Sequence, residues 1–153
     1  MSKQIKPSRS VKGYLQSIRS ERMEVDYLLD MVEELRTSLL PSGINYDKIN
    51  VQTSPDSDPM LDVLEKIEKY ENKIKEHLQG LLENYNNASQ LIMMLEKPEH
   101  RQVLCLYYLD KSRLKWSDVA ARMNYSEQRI YQFHNEAITI LERENKKRTS
   151  EKD

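Results

Sequence analysis

Apolar residues return at every seventh position from Val11: Val11, Ile18, Val25, Val32 and Leu39. Leu15, Leu28, Leu29 and Leu35 form a second row beside them, interrupted by Glu21 and Arg22. Rows so spaced share one side of a helix, so the pattern predicts about four heptads of helix, ~42 Å long at ~1.5 Å per residue. Such a stripe cannot be covered by its own helix and needs a partner surface. After Leu40 the periodicity stops. "LLPSGINYDKINVQTSPDSDP" sets Pro41, Gly43, Pro55 and Pro59 among Ser, Asn and Asp, which reads as a linker over 41–58.

Asp58 followed by Pro59 is a helix start, because the Asp carboxylate accepts from free backbone N–H groups and Pro at the first helical position lacks one. The second helix repeats Met60, Ile67, Ile74, Leu81, Ala88 and Leu95, with Val63, Tyr70, Leu78, Tyr85, Leu91 and Ile92 alongside. Gly80 and "NYNNAS" have weak helix propensity, so a kink or break is expected between 80 and 89. The two stripes suggest an antiparallel hairpin, coiled-coil-like, over residues 9–96; a dimer can pair the same faces.

Pro98 in "EKPEHRQ" opens a further helix, and "RQVLCLYYL" supplies Val103, Leu104, Tyr107 and Tyr108 at helical spacing. The connector "DKSRLK" leads into "WSDVAARMNYSEQRIYQF", residues 116–133. Here Val119, Ala120, Met123, Tyr125, Ile130 and Phe133 fall where two helices crossing at close range need buried or small side chains. Ala120 sits at the crossing, where a larger side chain would push the helices apart. Asn124 occupies the tight turn, which needs a residue tolerant of the left-handed conformation, and Ser126 can cap the second helix. The stretch predicts a helix-turn-helix whose framework is Val119, Ala120, Met123, Asn124, Ile130 and Phe133.

Composition agrees with an all-α chain: of 153 residues 32% are charged and 38% hydrophobic, with three Gly and five Pro. The formal net charge of -1 excludes a globally basic nucleic-acid binder, but the charge is unevenly placed. Lys3, Lys6, Arg9, Lys12 and Arg19 give the first twenty residues +5 without an acid, whereas residues 21–40 carry -4 and residues 101–153 carry +3. The closing "RENKKRTSEKD" reads as a solvated tail or as a nonspecific phosphate clamp built on Arg143, Lys146, Lys147 and Arg148.

Cys105 is the only cysteine and lies in an apolar run, which excludes an intrachain disulfide and fits a buried thiol in a reducing cytoplasm. The start "MSKQIKPSRS" lacks the apolar core of a secretory signal, and no stretch of about 18 apolar residues is present, so no membrane partner is expected. His77, His100 and His134 are far apart and have no metal-ligand spacing around them; Gly13, Gly43 and Gly80 form no phosphate loop. No catalysis, metal or cofactor is expected.

Residues 101–141, "RQVLCLYYLDKSRLKWSDVAARMNYSEQRIYQFHNEAITIL", resemble region 4 of sigma factors of the sigma-70 type. The likeness rests on the "VLCLYYL" and "VAARM" helices, on Ser126, Arg129, Ile130 and Gln132, and on the closing "EAITIL". With the long N-terminal helices, "INYDKINVQTSP" and "DPM", the whole chain resembles sigma-like phage proteins of Gram-positive bacteria, including late-gene activators of the ArpU and RinA type. The resemblance implies a phage or prophage transcription regulator that reads double-stranded promoter DNA, with RNA polymerase or a second copy held by the long helices. It places the DNA-contacting positions at Glu127, Gln128, Arg129, Tyr131 and Gln132 after Ser126, with Lys115 before the preceding helix. Sigma factors commonly have basic residues where this chain has Glu127 and Tyr131. A Gln can bond adenine in two places and Arg129 can hold guanine or a phosphate; Arg129 can also pair within its own helix.

The expected organisation is therefore a basic flexible arm over 1–8, the long hairpin over 9–96, the region 4-like domain over 97–146 and a flexible tail over 147–153. Two other readings fit the same helices. One is a DNA-packaging or helical assembly protein resembling a small terminase subunit, and the other is an adaptor that binds RNA polymerase without DNA.

Overall fold

The computed structural model describes residues 10–40 and 58–151; the basic arm expected over 1–8 and all but Asp58 of the expected linker lie outside them. Among the described residues the protein is all-helical, with no strand. The helices are α1 (Val11–Ser38), α2 (Pro59–Ile92), α3 (Pro98–Leu104), α4 (Trp116–Met123) and α5 (Glu127–Ser150). A π-helical turn, Cys105–Leu109, continues α3. No described helix is long and apolar enough to cross a membrane.

The helix starts follow local chemistry. The Ser10 hydroxyl accepts from the Gly13 N–H at 3.0 Å. Asp58 Oδ1 accepts from the Met60 N–H at 3.0 Å, with Pro59 at the first helical position as its sequence suggests. α2 is unbroken through Gly80 and "NYNNAS", against the expected break. Burial of Leu81, Ala88, Leu91 and Ile92 supplies the packing that outweighs weak propensity there. Leu95 is buried too, but lies beyond the end of α2.

Contacts divide the protein into two compact units, 23–80 and a second formed by residues up to 22 together with 81 onward. In the first, Glu24 meets His77 at 3.8 Å and Arg36 pairs with Glu71, so these stretches of α1 and α2 run antiparallel. Val25, Leu28, Val32, Val63, Ile67 and Ile74 are its buried core. Leu29, Met60 and Leu78, assigned to the stripes from their spacing, are exposed instead. They flank the buried line, and the face shared by two helices is narrower than the rows the heptads mark.

The second unit gathers α3, α4 and α5 around Val103, Leu104, Tyr108, Val119, Ile130, Ala137 and Leu141. The start of α1 belongs to it: the Val11 N–H donates to Glu142 Oε1 at 2.6 Å, and Arg19 donates to the carbonyls of Tyr107 and of Leu114, the latter at 2.9 Å. Arg19 thereby satisfies a carbonyl that the ending π turn leaves without a helical donor, and its guanidinium lies 4.1 Å over the Tyr107 ring. Arg101 ties down the loop between α2 and α3, donating to the carbonyls of Leu95 at 2.6 Å and Glu96 at 3.0 Å. Cys105 is half-buried where a buried thiol was expected, and desolvation pushes its pKa up, which keeps it protonated.

Candidate nucleic-acid interface

The interface begins with the turn between α4 and α5. Lys115 precedes α4 in extended conformation, and its N–H donates to Asp118 Oδ2 at 2.9 Å. Its side chain has no acceptor and caps nothing, so the exposed ammonium is left to solvent or a ligand. α4 ends at Asn124, whose φ of 58° and ψ of 40° are left-handed as the turn requires. The Tyr125 N–H then donates to the Ala120 carbonyl at 3.1 Å, closing the end of the helix. Ser126 is extended and its Oγ accepts from the Arg129 N–H at 3.2 Å, capping α5.

Behind the turn, Val119, Ala120, Ile130 and Phe133 are buried, the framework expected of them. Met123 is only half-buried, and Asn124 and Tyr125 are exposed. Asn124 serves the turn through its backbone conformation, not through burial. Tyr125 instead lays its ring edge-on to Phe133, with centroids 5.0 Å apart.

α5 presents Glu127, Gln128, Arg129, Tyr131 and Gln132 to solvent, and Ser126 is exposed with them. Gln128 has no side-chain hydrogen bond among the described residues, so its amide keeps both its donor and its acceptor sides. Arg129 takes the intrahelical option: Nη1 donates to Gln132 Oε1 at 2.8 Å, and the guanidinium lies 4.5 Å over the Phe133 ring. This contact fixes the fork while leaving most of its five donors unused. Tyr131 is 41% exposed, and its ring lies 5.3 Å from that of Trp116, which stacks on Tyr107 at 3.7 Å.

Two histidines stiffen the back of α5, in a role that their spacing along the chain, weighed only for metal ligation, does not signal. Tyr108 Oη lies 2.7 Å from His134 Nε2 in the core. Burial pushes the phenol pKa up and the imidazole pKa down, so the hydrogen bond joins two neutral groups. His100 is buried with Nε2 2.8 Å from Glu136 Oε2, and that hydrogen bond holds the carboxyl below the usual carboxylate range. The pairing links α3 to α5 across 36 residues, a separation that no local motif signals. Among the described residues no cluster of His, Cys, Asp or Glu could hold a metal ion.

A groove of about 790 Å³ runs beside α5, lined by Met94, Lys97, His100, Glu136, Ile140 and Glu144 among others. None of the expected DNA-contacting residues lines it. No family model, curated protein or solved structure matches the chain.

Proposed function

We propose that this protein is a DNA-binding transcription regulator of the sigma-like phage or prophage kind, whose helix-turn-helix domain sets the first turns of α5 into the major groove of promoter DNA. One observation carries the reading. An exposed polar edge, Glu127, Gln128, Arg129, Tyr131 and Gln132, stands on a helix capped by Ser126 and buried from behind by Ile130, Phe133 and His134. A major groove about 12 Å wide admits a helix of this kind, and a helix already packed from behind needs no ordering of its backbone on binding.

Within this reading Gln128 bonds adenine through its free amide, while Arg129, steadied by Gln132 and Phe133, supplies donors to guanine or a phosphate. Lys115 meets a phosphate beside the start of α4. The long helices act as a hairpin platform whose exposed Leu29, Met60, Leu64 and Leu78 offer apolar surface to a protein partner, either RNA polymerase or a second copy. The reading requires no catalysis and no cofactor.

The test is the triple variant Gln128→Ala, Arg129→Ala, Gln132→Ala, assayed on a duplex that the wild-type protein prefers. A side chain that bonds a base in two places contributes about 1–3 kcal/mol of discrimination, so preference over random duplex should collapse while helicity by circular dichroism stays unchanged. Preference retained by the triple variant would remove this edge from the reading.

A further inference from the structure

The exposed edge of α5 does not stop at Gln132. At steps of three and four residues it continues through Asn135, Thr139, Arg143 and Lys146, all exposed and all on the line begun by Gln128. α5 is helical to Ser150, so the helix runs past 146, where a tail was expected to follow, and Arg143 and Lys146 lie on the same helix as the first turns. The stripe contains no acid. Amides and a hydroxyl come first and cations last, over ~27 Å of helix.

The acids interspersed in this half of α5 are each occupied elsewhere. Glu136 is held by His100 at 2.8 Å, Glu142 takes the Val11 N–H at 2.6 Å and Glu144 meets Lys147 Nζ at 3.4 Å. Among the described residues Arg143 and Lys146 have no ion-pair partner. The contact between Glu142 and Val11 also sets exposed Lys12 beside the same half of α5.

From this geometry we infer that Arg143 and Lys146 form a phosphate-binding site for the duplex backbone, separate from the base-reading turns. A straight helix in a groove about 12 Å wide leaves the base edges within its first few turns. Arg143 lies ~16 Å farther along the axis than Gln132, where the sugar-phosphate backbone that walls the groove comes next. Cations there add affinity and fix the angle of the helix without reading sequence.

The inference rests on the DNA reading above, and the salt dependence of binding separates the two. Full-length protein is titrated onto a duplex of about 30 base pairs at several salt concentrations between about 50 and 200 mM. Three proteins are compared: wild type, Arg143→Gln with Lys146→Gln, and a charge-matched control, Lys66→Gln with Lys73→Gln, both exposed on α2. The stripe variant should lose ~1.8 from the slope of log K against log salt, the share of two phosphates, and weaken equally on preferred and random duplex. The control should keep the wild-type slope. An unchanged slope in the stripe variant, or an equal loss in the control, overturns the site while leaving the DNA reading intact. Absence of duplex binding by wild-type protein at the lowest salt overturns both.

Discussion

The two compact units are both helical, yet different contacts hold them. Unit 23–80 is two antiparallel stretches with one apolar seam, the Arg36–Glu71 and Glu24–His77 pairs at its edges, and Leu29, Met60, Leu61 and Leu64 left exposed. The unit around α5 closes a core on several sides and threads it with polar contacts: Tyr108 to His134, His100 to Glu136, and Arg19 to the end of the π turn. A seam between two helices readjusts more easily when a side chain is cut back than a core closed on several sides. Fixing the direction of an exposed edge requires the second kind of construction, and α5 has it.

The sharpest way to break this contrast is truncation in each core. Ile130→Ala removes a fully buried side chain from the enclosed core and should cost about 3–5 kcal/mol by urea unfolding. Ile67→Ala in the seam should fall at the lower end, about 2 kcal/mol, because neighbouring side chains can close over the gap. Equal costs would mean that the two units are packed alike.

The turn gives a smaller effect. Asn124→Val forces a β-branched residue into φ near 58° and should cost about 1–2 kcal/mol, whereas Asn124→Gly should be close to neutral. Thermal unfolding of the two variants distinguishes conformational strain from a role for the Asn amide itself, whose removal would penalise both.

The smallest effect is a pH dependence confined to the enclosed core. Burial lowers the His134 pKa from its ordinary 6.5, so just below that pH the unfolded chain binds a proton that the folded chain refuses. Stability should therefore fall as pH drops below about 6.5, with a slope of at most about 1.4 kcal/mol per pH unit from this group. His134→Phe should flatten that part of the profile. An unchanged profile would show that His134 is not the group responsible.

What could be read in the sequence was local. Asp58 with Pro59, Asn124 in the turn and Ser126 as a cap each act within four residues, and each adopts the role its chemistry suggests. Heptad spacing located the faces of α1 and α2 but overstated their width, since Leu29 and Leu78 continue the rows without reaching the shared seam. Long-range contacts were not legible. Nothing in the neighbourhood of Val11 points to Glu142, or of His100 to Glu136, yet these contacts occupy the acids beside the α5 stripe. The left-handed Arg113, φ 52°, was equally invisible, because arginine carries no preference for that conformation.

If the exposed edge of α5 reads duplex DNA, the most direct test is selection of bound fragments from a random duplex library at about 50 and 200 mM salt. One sequence should be enriched at both concentrations by the wild-type protein and by neither when Gln128, Arg129 and Gln132 are replaced by Ala. Recovery of fragments without sequence enrichment, or enrichment that survives the three substitutions, would contradict it.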